Sequence, residues 1–190
     1  MFVFKKKYFL IIESIKDIDL RNIKKRDKII IIYRNNKAHD TFSKLHNFRS
    51  TCKIKKIKLF IANDMSLCKD LRADGVYISA NNSSLKYSRF KNSNVELIGA
   101  AHNNKEIRIK KLQGCKDIIF SRLFRTSYKH KKNFLGAVRF NLLNKSYKNR
   151  LFPLGGIRLS NLNKIKNVNC SGFVIYSEVK KKPAIIDRLF

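Results

Sequence analysis

The sequence predicts an α/β fold, and three observations predict it. Eight short apolar runs recur along the chain, at residues 8–12, 29–33, 58–61, 75–78, 97–100, 118–121, 151–154 and 173–176. Most are continuous rather than alternating and rich in β-branched or aromatic residues, as strands buried on both faces and paired in parallel are. The intervals carry helix-capping residues followed by apolar positions three or four apart. Eight strands alternating with helices suggest a closed (β/α)8 TIM barrel, with an open doubly wound sheet as the structural alternative. At 190 residues the barrel is compact, since about 200 is the usual lower bound, so some of its helices must be short.

The first strand, 8–12, follows Lys5, Lys6 and Lys7 and stops at Glu13. Its apolar stretch is too brief for a secretory signal and no small-residue cleavage site follows, so a buried strand is the better reading. After strand two, residues 34–37 read as a polar loop, with a helix starting roughly at His39. After strand three, Asn63 or Asp64 caps a helix with Met65, Cys68 and Leu71 on one face. Strand four ends at Ser79, Asn81 and Asn82. Beyond strand five, Asn103 or Asn104 caps a helix with Ile107 and Leu112 among its apolar positions and Gly114 as its stop. Strand six leads to Thr126, Ser127 and Lys129. Strand seven leads to Gly155 and Gly156, then to a helix capped at Ser160 with Leu162 and Ile165 three apart. Strand eight ends near Ser177, and residues 180–190 leave room for only a stub of a last helix. No repeat, linker or low-complexity segment divides the chain, so residues 1–190 read as a single barrel domain.

Composition narrows the function classes. Apolar residues make up 44 %, enough for a sizeable core, and no apolar run approaches the roughly 20 residues of a membrane span. Four cysteines, at 52, 68, 115 and 170, form no close pair, which argues against zinc or a redox motif and for buried thiols in a reducing cytoplasm. The 43 Lys plus Arg against 13 Asp plus Glu give a net charge of +30. The basic residues lie along the whole chain rather than on one segment interleaved with aromatics, and no nucleic-acid-binding motif appears. A nucleic-acid partner is therefore the weaker reading, although a long-range positive field could still steer anionic substrates towards a site.

A barrel of this kind places its site at the C-terminal ends of the strands. Gly155 and Gly156 sit where backbone N–H groups can approach a phosphate closely, or simply where a tight turn needs positive φ. The stretch from Thr126 to Lys129 offers two hydroxyls and an ammonium to a phosphate ester. Asn63 and Asp64 suit either a hard cation such as Mg²⁺ or a helix cap. His102 after strand five is by itself an ordinary loop residue.

These segments resemble the thiamine phosphate synthase/TenI family. The resemblance runs through Ala73-Asp-Gly-Val-Tyr-Ile78, with Asn63-Asp64 upstream and Ile98-Gly-Ala-Ala-His102 downstream. It continues through Ser121-Arg-Leu-Phe-Arg-Thr126 with Lys129 and Leu135-Gly136, then Leu154-Gly-Gly-Ile157 and Gly172-Phe-Val-Ile-Tyr-Ser177. The segments keep the family order over about residues 28–179. The resemblance implies a barrel that joins hydroxymethylpyrimidine diphosphate to a thiazole phosphate with release of diphosphate. It further implies that Arg34 and Lys129 hold the diphosphate, that Asp64 ligates Mg²⁺ and that Asn63 contacts the pyrimidine. Thr126, Ser127, Gly155, Gly156, Tyr176 and Ser177 would line the thiazole phosphate site.

The departures from the family are specific. Asn35 and Asn36 follow Arg34 in place of the family's Glu-Lys, so a diphosphate-binding lysine is absent unless Lys37 substitutes, and Asn36 takes the substrate-binding position there. Asn82 replaces a second metal carboxylate with an amide, and Ala101 replaces a serine before His102. The phosphate-site residues after strands six to eight are better kept. That pattern also suits a thiazole phosphate tautomerase, in which a histidine near His102 acts as acid and base, or a non-catalytic paralogue that binds a phosphate ligand.

Overall fold

Each apolar run forms a strand in the computed structural model of the chain, which describes residues 7–23, 26–35, 40–126, 133–148 and 150–176. The strands are β1 (Lys7–Ile12), β2 (Ile29–Tyr33), β3 (Lys58–Ala62), β4 (Gly75–Ile78), β5 (Glu96–Ala101), β6 (Asp117–Ser121), β7 (Leu151–Leu154) and β8 (Gly172–Ile175). They pair in parallel in chain order, and β8 closes on β1, so the (β/α)8 TIM barrel is the fold. The helices are α1 (Phe42–Ile54), α2 (Met65–Asp70), α3 (Asn104–Leu112) and α4 (Gly136–Ser146). Elsewhere 3₁₀ turns make the return: Ile15–Asp17, Leu20–Asn22 and Arg26–Lys28 after β1, Leu85–Phe90 after β4, and Leu159–Asn167 after β7. A 3₁₀ turn rises about 2.0 Å per residue against about 1.5 Å for an α-helix, so fewer residues recross the barrel's height. This is how eight units fit in so short a chain.

Strand alternation divides the core into two layers. Phe9, Ile11, Ile30, Ile32, Phe60, Tyr77, Ile98, Ile119, Phe152 and Val174 fill the barrel interior. Their neighbours in sequence, such as Tyr8, Leu10, Ile31, Val76, Ile118 and Phe173, face the surrounding helices and turns. Both faces are buried, which is why the runs are continuous. The floor at the N-terminal ends of the strands is charged and paired. Asp117 accepts from Lys7 and Arg150, each at 2.9 Å, and Lys58 pairs with Glu96. A Cβ on Gly75 or Gly172 would strike the backbone of Glu96 or Lys7, so side chains at these floor positions are shut out by close strand approach.

The intervals depart from the sequence pattern in three places. α1 begins at Phe42, not near His39, which lies outside the described residues together with the rest of 36–39. Asp40 instead accepts from the Ile15 N–H and the Ser14 and Tyr33 hydroxyls, each at 3.1 Å, and this ties the segment to the β1 loop. The element after β7 is 3₁₀, entered from Arg158 rather than capped at Ser160. Asn161 closes that turn by accepting from the Arg158 N–H at 2.8 Å and donating to the Gly156 carbonyl at 2.7 Å. Leu112 points to solvent, whereas Ile107 is fully buried. The stub expected at residues 180–190 lies outside the described residues.

Three helices end in the same hydrogen-bond pair. After α1, Lys56 N–H donates to Lys53 and Ile57 N–H to Cys52. After α2, Arg72 donates to Lys69 and Ala73 to Cys68. After α3, Gly114 donates to Lys111 and Cys115 to Lys110. The motif needs a left-handed residue, which Gly114 supplies freely at φ 93°, whereas Lys56 (φ 55°) and Arg72 (φ 47°) adopt it with a side chain. Replacing Lys56 with glycine is therefore expected to stabilise the protein by about 0.5–1 kcal/mol, the left-handed penalty less the added unfolded-state entropy. Denaturant unfolding at matched m-values measures it.

Three of the four thiols are buried, and burial pushes Cys68 up to about 11 and Cys52 and Cys115 to about 12, from an ordinary 9.0. At pH 8, iodoacetamide should leave these three unmodified in the native protein and modify all of them in denaturant. The linkage runs against alkali. Above pH about 9 the unfolded thiols ionise while the folded ones stay protonated, so stability falls as pH rises through that window.

Candidate functional site

The C-terminal ends of the strands form a polar mouth in two halves. At the β3–β4 half, β3 is broken by Asn63, whose φ of 58° is one that asparagine tolerates better than most residues. That turn frees Asp64 to cap α2, accepting from the Leu67 N–H at 2.9 Å. The Asn63 side chain spans the strand ends. Its Oδ1 accepts from the Ser79 N–H (3.0 Å) and Asn82 Nδ2 (3.2 Å), and its Nδ2 donates to Ser79 Oγ (3.0 Å), which among the described residues leaves one amide N–H for a ligand. The Tyr87 hydroxyl donates to the Asn63 carbonyl at 2.8 Å. Asn82 Oδ1 accepts from the Ser84 N–H at 3.1 Å, so the amide is occupied in holding its own loop. Asn63 and Asn82 thus converge, with Ser79 and Tyr87 joining them, while the Asp64 carboxylate caps α2 and acts on the Tyr87 phenol through its charge. Burial raises the Tyr87 phenol above its ordinary value, Asp64 adds to that, and the Asn82 hydrogen bond opposes it.

Arg34 follows β2 directly, its backbone N–H donating to the Ile12 carbonyl at 2.8 Å. By strand alternation it continues the inward row of Ile30 and Ile32. Its positive charge reaches the Tyr77 phenol inside the barrel, opposing the rise that burial imposes there. Among the described residues no carboxylate pairs with the Arg34 guanidinium. His102, after β5, is exposed. Its Nδ1 lies 3.0 Å from Glu106 Oε2, which also accepts the His102 backbone N–H at 2.7 Å. Asn103 caps α3.

The other half is built by the loops after β6, β7 and β8. Gly155 and Gly156 have φ of 97° and 70°. A Cβ on Gly156 would lie 2.6 Å from the Arg125 carbonyl oxygen and from Phe124, so this turn presses on the peptide that leads into Thr126. The Phe124 N–H donates to the Gly155 carbonyl at 3.0 Å and locks the two loops together. Thr126 Oγ1 is buried and has no hydrogen-bond partner among the described residues. An unmet buried hydroxyl costs about 1–3 kcal/mol, and a ligand that supplied its partner would recover that. Tyr176 follows β8, and its hydroxyl donates to Glu13 at the end of β1. Asn36, Ser127, Lys129 and Ser177 lie outside the described residues.

Sequence reasoning passed over Glu13, Tyr87 and Glu106. Glu13 continues the inward row of Phe9 and Ile11, and Glu106 stands one helical turn beyond His102, so both had a local signal. Tyr87 reaches Asn63 across 24 residues from a 3₁₀ turn, and no local pattern marks it.

A family model described as thiamine monophosphate synthase matches residues 11–179. Among solved structures, thiamine phosphate pyrophosphorylase from Pyrococcus furiosus superposes with a TM-score of 0.67 at 14 % identity, covering 97 % of each chain. 3-Keto-L-gulonate-6-phosphate decarboxylase from Vibrio cholerae superposes at 0.64 with 13 % identity, over 98 % of this chain and 100 % of that one. TrpF from Jonesia denitrificans superposes at 0.65 with 12 % identity, over 96 % and 94 %. At these identities the likeness is one of fold. No curated protein matches the sequence.

Proposed function

The chain belongs to the thiamine monophosphate synthase family, and on that premise we propose that it joins hydroxymethylpyrimidine diphosphate to a thiazole phosphate, releasing diphosphate. The observation that carries the reading is the buried Thr126 hydroxyl, unpartnered among the described residues, just after the Phe124–Arg125 peptide on which the Gly155–Gly156 turn presses. A dianionic phosphate accepts from hydroxyl and backbone N–H groups without needing a carboxylate nearby. Ser127, Ser177 and Tyr176 complete the thiazole phosphate site in this assignment.

Arg34 and Lys129 take the diphosphate, where negative charge grows as the pyrimidine methylene bond breaks and fixed cations stabilise it. The thiazole nitrogen then attacks that carbon, and the two halves of the mouth contribute by holding the partners together. Mg²⁺ binds through few carboxylates and the substrate's own phosphates, and Asp64, with one oxygen on the Leu67 N–H, fits that role. The metal would supply further charge neutralisation at the leaving group. Asn63 has one N–H to offer the pyrimidine, while the amide of Asn82 serves the loop before any metal. Among the described residues no helix is long and apolar enough to cross a membrane. The place proposed for the protein is the cytoplasm, whose reducing conditions suit its free thiols.

Incubating the protein with both substrates and Mg²⁺ is expected to yield thiamine phosphate and diphosphate, and chelation is expected to stop it. A second reading is favoured by the His102–Glu106 pair, in which a carboxylate orients a ring nitrogen and leaves the other free for proton transfer. It assigns the protein as a thiazole phosphate tautomerase. Proton exchange on a thiazole phosphate at equal rates in metal and in chelator, with no coupled product, decides for it.

A further inference from the structure

Lys110 is fully buried on the barrel side of α3, an unusual position for an ammonium. Its stem runs over Gly99 of β5, where a Cβ would come within 2.7–2.8 Å of Lys110 Cβ, Cγ and Cδ, so the glycine opens the path the lysine follows. The ammonium donates to the Asn82 carbonyl at 2.6 Å and to Gln113 Oε1 at 3.0 Å. The Gln113 amide in turn donates to the Asn82 and Ser84 carbonyls, each at 2.9 Å. Among the described residues no carboxylate bonds the ammonium. Burial lowers its pKa, and Cys115 and Glu106 oppose the shift electrostatically. A buried charge without a counter-ion is a poor device for stability, since an apolar side chain of the same shape would pack there at less cost. What the pair does specify is the backbone at 82–84. Asn82 then donates to Asn63 Oδ1 and to the Tyr87 hydroxyl, the group that donates to the Asn63 carbonyl.

We propose that Lys110 and Gln113 are positioning residues for the mouth of the barrel: from behind the sheet they hold the loop after β4, so that Asn82 orients Asn63 towards the substrate. The proposal rests on the reading of this mouth as the substrate site.

The test uses the full chain and the variants Lys110→Met, which keeps an unbranched stem, and Gln113→Leu. Lys110→Met relieves the buried charge but leaves Gln113 Oε1 without its donor, so it should fold yet melt below the parent temperature. In both variants the side-chain amide NMR resonances of Asn63 and Asn82 should leave their parent positions, and hydroxymethylpyrimidine diphosphate should bind about tenfold more weakly. The double variant should bind no more weakly than either single one, as expected for two residues acting through one loop. Unmoved Asn63 and Asn82 resonances in the folded variants overturn the proposal, and so do affinity losses that multiply. If Lys110→Met fails to fold, Gln113→Leu carries the same decision. If the parent protein does not bind the pyrimidine diphosphate, the functional reading fails while the amide resonances still decide on the clamp.

Discussion

Gly156→Ala is expected to lower stability by about 3 kcal/mol and to remove binding of the thiazole phosphate. Two costs add at this position. The φ of 70° is left-handed, which costs an alanine about 1–2 kcal/mol. The new Cβ would also stand 2.6 Å from the Arg125 carbonyl oxygen and from Phe124. That contact is with backbone, which cannot rotate away, and overpacking of this kind costs about 1–3 kcal/mol. Relief requires the loop after β6 to withdraw, and Thr126 moves with it. At about 2–4 °C per kcal/mol for a chain of this size, the melting temperature should fall by about 6–12 °C. Calorimetry of unfolding and titration of a thiazole phosphate below the new transition measure the two effects separately. A variant that melts lower yet binds the phosphate as the parent does would remove Gly156 from the phosphate site.

Arg34→Met should do the reverse, leaving stability intact and taking away turnover. Among the described residues no carboxylate pairs with the Arg34 guanidinium, so its removal breaks no ion pair there and should move the melting temperature by less than about 2 °C. Against a leaving diphosphate it would act as a preorganised cation, and losing one such donor typically lowers kcat by about 10²–10³. Because the charge on the diphosphate grows as the bond breaks, the loss should fall more on kcat than on KM. Steady-state kinetics with the pyrimidine diphosphate varied make the distinction. A rise in KM alone would make Arg34 a ground-state binder with no part in departure of the leaving group.

The strands were legible because both of their faces are buried. Runs such as Ile29–Tyr33 can be nothing but buried, and their parallel pairing follows from having no polar face. Helix starts were legible where a side chain caps its own helix, as Asp64 and Asn103 do, since the bond spans only three residues. The start of α1 was not, because Asp40 takes two of its partners from the β1 loop, some 25 residues away, and caps no helix of its own. The turn after β7 was not either, because Asn161 closes it from inside and leaves the regular capping pattern unused.

The mouth divides in the same way. That Asn63, Asp64, Gly155, Gly156 and Tyr176 stand at strand ends follows from the sequence, since each closes or shortly follows an apolar run and topology brings all such ends to one pole. The +30 charge, by contrast, said nothing about which cations matter. The sequence by itself determined the eight strands, their parallel pairing and the residues at their C-terminal ends, because these depend on periodicity and on short-range bonds. The tertiary structure alone decided which polar groups are already occupied and which stay open. Asn82 is held from behind by Lys110 and Gln113, while the Thr126 hydroxyl is buried and unmet among the described residues. Such pairings join residues about 30 apart in the chain, and only the closed barrel brings them within reach.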